Sequence, residues 1–594
     1  MDRAVAHRPA ASRLRDALDA RYAAPLALAG LIVVALLARL VLNRGIEAPW
    51  AQPDELEYAA LARSFASSGH YLFRDHHYFI PTIYPALISP AWLAGSMATT
   101  YTLVKAMNAV FLTATAIPLY LWARRLVSPA YALLAVALFL AIPSFVYAGT
   151  IVTENAFAPA LLLCLLVLAL ALERPTLIRQ LLVLSLAVLC VTVRLQAVFL
   201  FVVIPTAVAL TWLLDRRSGD ARATARRFWP TYIALGAGAI AYGVYRLSVG
   251  HGLSSHLGVY GYATKSHYSL WPATRWVVYH LAELTLSVGV VPLSALIVLL
   301  GLAWTQRTVV AERAFLAVAT AAIFWEVVEV GTFESPRGFR IQERYLFNLA
   351  PVLLLALVVW LARGLPRPRV LTAVAAVVPV ALLLTIPYGK LVTTVVFNST
   401  FALIPLWRLR TSLGGVAGPV ALTLIGAVTV VLMFAVVPRR VARWAVPGAV
   451  FAFLIASSAS VYSTITWQAR GFRHAGGLQG DPSWIDRAVG KNARVELLYT
   501  RDLVDAHVAW QAEFWNRSVR RLFGVTAQDP SIPDVTTSLA DGRVVPELPA
   551  RSPDLQPRYV LSTRKTAVVG AKVASSGQLV LWRVQAPLRL RTSP

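Results

Sequence analysis

Apolar runs long enough to cross roughly 30 Å of hydrocarbon recur along most of this chain. They lie near 24–43, 102–122, 130–148, 156–173, 180–194, 197–214, 230–249, 276–303, 314–332, 344–362, 370–388, 414–437 and 444–464. A chain so patterned has to bury thirteen helices in lipid and in one another, and that excludes an ordinary water-soluble fold. The composition agrees: 58% of the 594 residues are hydrophobic, 14% are charged, and the mean hydropathy is +0.63.

The polar breaks alternate in character. One set carries arginine: the N-terminus (Arg3, Arg8, Arg13, Arg15, Arg21), Arg124/Arg125, Arg174/Arg179, the cluster 216–227, Arg307/Arg313, Arg363/Arg367/Arg369 and Arg439/Arg440/Arg443. The positive-inside rule makes these cytoplasmic. The other face then holds the large loop 44–101, a turn at Thr153-Glu154-Asn155, the segments 250–275, 333–343 and 389–413, and the tail. Parity depends on breaking 180–214 at Arg194-Leu195-Gln196, because fusing those two runs inverts everything downstream. The first run has no small-residue cleavage site after it and reads as a retained helix. The formal charge of +26 therefore reports topology; no basic soluble module with nucleic-acid motifs is present. Cys164 and Cys190 both sit in apolar runs, so a disulfide framework or thiolate metal site is not expected. Basic residues are mostly arginine, with only six lysines, as in proteins of GC-rich bacteria.

The hydrophobic pattern stops near 466, dividing the chain into a membrane domain, 1–465, and an α/β domain, 466–594, outside the cytoplasm. WIDRAV and AHVAWQAEFWNRSVRRLF read as helices; VELLY, RYVLS and QLVLWRV read as strands. The Pro- and Asp-rich stretch QDPSIPDVTTSLADGRVVPELPARSPDLQP reads as a connector. Trp510, Phe514 and Trp515 have helical spacing and are assigned to the core of this domain. No repeat of fixed period and no inverted repeat of the transporter kind is visible.

Chemistry concentrates in the first outer loop, at Pro53-Asp54-Glu55 in PDELEYAALARSFASSGHY. Charge placed where a helix leaves the membrane is expensive and calls for a function. Asp54 and Glu57 have the spacing of a capping box, a role compatible with an orientated catalytic base. Glu55 is the reserve base. This loop resembles the first-loop motif of GT-C membrane glycosyltransferases, in the branch of the lipid A aminoarabinose transferases and protein O-mannosyltransferases. The resemblance implies about 13 transmembrane helices, a C-terminal soluble α/β domain, and transfer from a polyprenyl-phosphate-linked sugar. It also implies a second acidic position at Thr153-Glu154-Asn155 and an Arg-Tyr pair at Arg344-Tyr345, following Glu343. One departure stands out: the aminoarabinose branch carries a first-loop lysine facing the donor phosphate, whereas the comparable stretch here is YFIPTIYPALIS. That argues against aminoarabinose as the sugar and leaves the phosphate to arginine.

Arg194, between two apolar runs, is the leading phosphate ligand, since a guanidinium grips phosphate bidentately. Arg337 and Arg340 add positive charge on the same side, and Glu283, Glu326 and Glu329 are candidate counter-ions. His76, His77 and Tyr78, with Asn155 and Glu283, are candidate cavity residues. The expected reaction is a single inverting displacement: Asp54 takes the acceptor proton while Arg194 and Arg344 stabilise the leaving phosphate. It requires no cofactor; a divalent cation is compatible with Asp54, Glu55 and Glu154 as oxygen ligands. The expected partners are the lipid bilayer, the lipid-linked sugar and a cell-envelope acceptor (glycan, lipid or protein), not nucleic acid. The rival readings are a polysaccharide polymerase or ligase, which shares lipid-linked donors, and a lipid or solute transporter, which would carry its charges near the bilayer midplane.

Overall fold

The computed structural model describes residues 10–50, 53–74, 76–77, 82–214, 220–248, 266–475, 480–500, 503, 506–525, 535–540, 543–546, 557–585 and 587–590. Each of the thirteen apolar runs is helical. Among the described residues, eight helices are long and apolar enough to cross a membrane, or up to ten if each of two bent pairs forms one span. The helices Leu177–Val193 and Arg369–Thr385 are apolar but shorter, reaching about 25 Å at 1.5 Å per residue. The protein is a polytopic membrane protein. Its residues form two compact units: one of 1–40, 109–146 and 153–462, the other of 41–108, 147–152 and 463–594.

In the first unit, residues from loops expected on the same side pair with one another. At one face, Arg125 donates to Glu173 through Nε at 3.1 Å, Gln180 Nε2 donates to the Arg227 carbonyl at 2.9 Å, and Arg363 pairs with Glu312 at 2.9 Å. At the other, Arg194 and Arg344 meet Glu154, while Glu343 joins Ser144 to Ala402.

Two helix breaks decide the path. The first falls at Arg194, whose backbone is extended (φ −154°, ψ 121°) between the helix Leu177–Val193 and the turn Leu195–Phe199. This is the predicted hairpin: a charge that cannot remain in mid-span ends the helix. The second corrects the sequence reading. The run 276–303 is two helices, Leu270–Ser287 and Val291–Thr305, bent by 108°. Gly289 (φ +85°) takes the left-handed conformation, and Pro292 in the first turn of the second helix can donate no backbone hydrogen bond to the preceding turn.

In the second unit the first loop and the tail fold together. Lys105 Nζ, buried in the helix Met97–Ala114, donates to the carbonyls of Asn43 (2.8 Å) and Ile46 (2.7 Å), fixing where the chain leaves the first helix. The helix Asp54–Ser68 ends at Gly69 (φ +71°), whose N–H bonds the Phe65 carbonyl, and the hairpin β1 (Leu72–Phe73) with β2 (His76–His77) follows. Gln511 of the tail donates to the Pro49 carbonyl at 2.6 Å, and Glu47 accepts from Arg473 at 2.9 Å.

The tail carries β3 (Val495–Tyr499), β4 (Val519–Val525), β5 (Val535–Ala540), β6 (Arg543–Pro546), β7 (Tyr559–Thr563), β8 (Gly570–Ser576) and β9 (Leu579–Val584). They form one mixed sheet in the order β6-β5-β4-β3-β7-β9-β8, parallel through its centre and antiparallel at both edges. Leu498, Phe523, Val560 and Val584 build its core. The strands VELLY, RYVLS and QLVLWRV fall where expected. Two readings change. AHVAWQAEFWNRSVRRLF is a helix only over Ala506–Trp515. Asn516 stops it: its side chain accepts from Ile485 N and Asp486 N and donates to the Pro482 and Ala512 carbonyls, and the chain leaves as β4. The expected connector contributes the antiparallel pair β5–β6, flanking an Asp-Gly turn signal.

Candidate active site

Glu154 opens the helix Glu154–Glu173 and is completely buried. Its Oε1 pairs with Arg194 Nη1 at 2.9 Å and also receives Arg344 Nε. Arg194 is held further by Nη1 donating to Thr153 Oγ1 and Nε to Gln196 Oε1, both at 2.8 Å. Tyr345 lies under both guanidiniums, with its ring centre 4.5 Å from Arg194 Cζ and 5.5 Å from Arg344 Cζ; such stacking favours the cations where water is scarce. Two buried guanidiniums converge on one carboxylate oxygen, and paired guanidiniums are suited to gripping an oxyanion.

Beside the cluster runs an apolar slot of about 150 Å³, lined by Arg194, Tyr345, Leu195, Val198, Val330 and Phe333 together with Gln196 and Glu329. A guanidinium at the margin of an apolar slot suits a molecule with an anionic head and a hydrocarbon tail.

The first-loop carboxylates separate by environment. Glu55 is fully buried, accepting from Trp50 N at 2.8 Å and Ile151 N at 3.0 Å. Its oxygens bind backbone and tie the loop to the segment 147–152. Asp54 is half-buried as the first residue of its helix. The helix cap falls on Pro53, which has no polar side chain to offer, so the expected Asp54–Glu57 capping box does not form the helix start.

The remaining candidates scatter. Glu343 accepts from Ser144 Oγ and from Ala402 N, each at 2.7 Å, and the buried Glu283 lies beside it. Arg337 leans over the Phe333 ring and lies 3.7 Å from Glu334; Arg340 stacks on Phe339. Neither joins Glu154. Asn155 is buried next to Glu154 in sequence. His77 is exposed in the β1–β2 hairpin; the His76 side chain and Tyr78 lie outside the described residues. Among the described residues no group of three or more His, Cys, Asp or Glu is arranged to hold a metal ion, and the oxygens of Glu55 and Glu154 are already engaged by N–H donors and guanidiniums.

Sequence reasoning passed over Lys105, a buried lysine whose signal was a charge inside an apolar helix. It also passed over a group of arginines spread between the first loop and the tail.

No family model matches this chain, and no curated protein matches it in sequence. Among solved structures it is similar to ArnT from Cupriavidus metallidurans bound to undecaprenyl phosphate, at 14% identity and a TM-score of 0.54, over 94% of this chain and 98% of that one. It is also similar to the same protein in the apo state, at 14% identity and a TM-score of 0.50, over 93% and 98%. The chain therefore shares the fold of that protein.

Proposed function

We propose that this protein is a glycosyltransferase that moves a sugar from a polyprenyl-phosphate donor to a hydroxyl of a cell-envelope acceptor at the outer face of the cytoplasmic membrane, with inversion. The observation that carries this reading is the Glu154–Arg194–Arg344 cluster opening on an apolar slot. A polyprenyl-phosphate sugar has one negative charge on its diester and a long hydrocarbon tail, so it suits the paired guanidiniums and the slot's lining. When the glycosidic bond breaks, the phosphate becomes a monoester and gains negative charge. Arg194 and Arg344, held in place by Glu154 and Tyr345, meet that developing charge and so bind the transition state better than the donor.

Asp54 is the proposed base. Its carboxylate is the half-buried one of the adjacent pair, whereas Glu55 is committed to two backbone N–H groups. Glu55 is reassigned to holding the first loop. The arginine alternation supports a cytoplasmic N-terminus and a tail outside the cytoplasm.

The test is transfer by the purified protein from a panel of polyprenyl-phosphate hexoses and pentoses, with released polyprenyl phosphate as the readout. Release that depends on added acceptor and is lost in Asp54→Asn supports the reading. Absence of release from every donor, in protein that remains folded, refutes it.

A further inference from the structure

A second basic site lies within the unit formed by the first loop and the tail. Its cavity, about 300 Å³, is lined by the cations Arg63, Arg74, Lys491, Arg517 and Arg520 and by one carboxylate, Glu513. That volume is at the small end of ligand pockets. Arg63 stands on the helix Asp54–Ser68, where Ala60, Ser64 and Ser67 share its face by helical spacing and also line the cavity. Arg517 and Arg520 come from the start of β4 and the turn before it.

The acids of this region are already used. Glu513 takes both Nε and Nη2 of Arg74 at 3.0 Å. Asp486 accepts from the backbone N–H groups of Arg517 and Ser518, each at 2.9 Å. Among the described residues, Arg63, Arg517 and Arg520 have no ion-pair partner, and Nη2 of Arg517 is buried without a hydrogen bond. Burial holds the Arg63 guanidinium below its ordinary range; Glu513 opposes this, while Arg517 and Arg520 add to it. Like charges gathered in a cavity destabilise the fold unless something compensates them.

We propose that this cavity binds an oxyanion, a phosphate or carboxylate, carried on a sugar of the acceptor. The source chosen is a glycan because Asn492 and the oxygens of Ser64, Ser67 and Ser68, whose own protons go to the His70 and Ser64 carbonyls, stand beside the arginines and can accept from sugar hydroxyls. The acceptor assignment rests on the transferase reading; the anion site itself does not.

Titration of the full-length protein in detergent with glucose 6-phosphate, with glucose as the neutral control, tests this. Glucose 6-phosphate should bind, glucose should bind at least about tenfold more weakly, and higher salt should weaken the former. The double variant R517Q/R520Q should lose at least about tenfold in affinity for glucose 6-phosphate, while R194A, altered only at the donor cluster, should retain it. Unchanged affinity in R517Q/R520Q overturns the proposal. So does binding confined to phosphatidylglycerol nanodiscs, which would assign the charge to a lipid surface. Phosphosugar binding without transfer from any donor would remove the transferase reading and leave this site standing; transfer without phosphosugar binding would do the reverse.

Discussion

Two groups of arginines in this protein differ in how they are neutralised. Arg194 and Arg344 divide one buried glutamate and stack on one tyrosine, and Arg194 lines an apolar slot. Arg63, Arg517 and Arg520 line a polar cavity whose one lining carboxylate, Glu513, is already spent on Arg74, while the nearby Asp486 is spent on backbone N–H groups. The first arrangement fixes two guanidiniums in geometry before any ligand arrives, as a site for developing charge requires. The second leaves charge uncompensated, as a site for ground-state binding of an anion requires. On this account one group belongs to the donor and to catalysis, the other to recognition of the acceptor.

The largest expected effect separates chemistry from both groups. Asp54→Asn should lower transfer by about 10³-fold or more, the range of a lost general base, while binding of undecaprenyl phosphate and of glucose 6-phosphate stays at wild-type level. Near-normal turnover in that variant would remove Asp54 as base.

Glu154→Gln sharpens the contrast from the other side. It removes the charge of the carboxylate that both guanidiniums share, at a cost of about 3–5 kcal/mol. The variant should melt well below wild type, and undecaprenyl phosphate should raise its melting temperature more than it raises that of wild type, because the lipid anion takes the place of the carboxylate. Equal shifts in the two proteins would separate Glu154 from the donor site.

The tail has its own pH signature. Burial pushes the Glu496 carboxyl on β3 up to about 7, against the pull of Arg494 and Arg521. The folded pKa exceeds the unfolded one, so the folded state holds the proton more tightly. This contribution is complete below the ordinary glutamate range near 4.5 and is lost as pH rises through about 7. The difference is at most about 3 kcal/mol. Hydrogen exchange of the sheet should quicken over that window, and Glu496→Gln should flatten the profile; an unchanged profile would refute the assignment.

The smallest perturbation tests orientation. Ser575 is exposed on β8, whereas Cys164 and Cys190 are buried. Ser575→Cys should react with a membrane-impermeant thiol reagent in intact spheroplasts; labelling only after lysis would place the tail in the cytoplasm.

The sequence exposes what is local. Hydropathy places the thirteen helices, and Arg194 marks its hairpin because a guanidinium in mid-span would be too costly. Local signals were also overlooked: Gly289 followed by Pro292 announces the 108° bend, and Asp541-Gly542 announces the β5–β6 pair. What the sequence conceals is pairing across distance. Arg344 reaches Glu154 across 190 residues of chain, and Arg74 reaches Glu513 across 439. Glu55 and Asp54 are neighbours in one motif, and the amides of Trp50 and of Ile151, the latter 96 residues beyond Glu55, distinguish the loop anchor from the candidate base.

The central claim is that Arg194 and Arg344 hold the donor phosphate. It is tested most directly by binding of undecaprenyl phosphate to purified Arg194→Ala and Arg344→Ala. Either change leaves Glu154 paired with the other arginine, so the fold should survive. The account predicts a Kd about 10- to 100-fold weaker for each, the worth of one charged hydrogen-bonded contact, with lysine at the same position recovering only part of the loss. Wild-type affinity in both alanine variants would make these arginines structural partners of Glu154 and contradict the account.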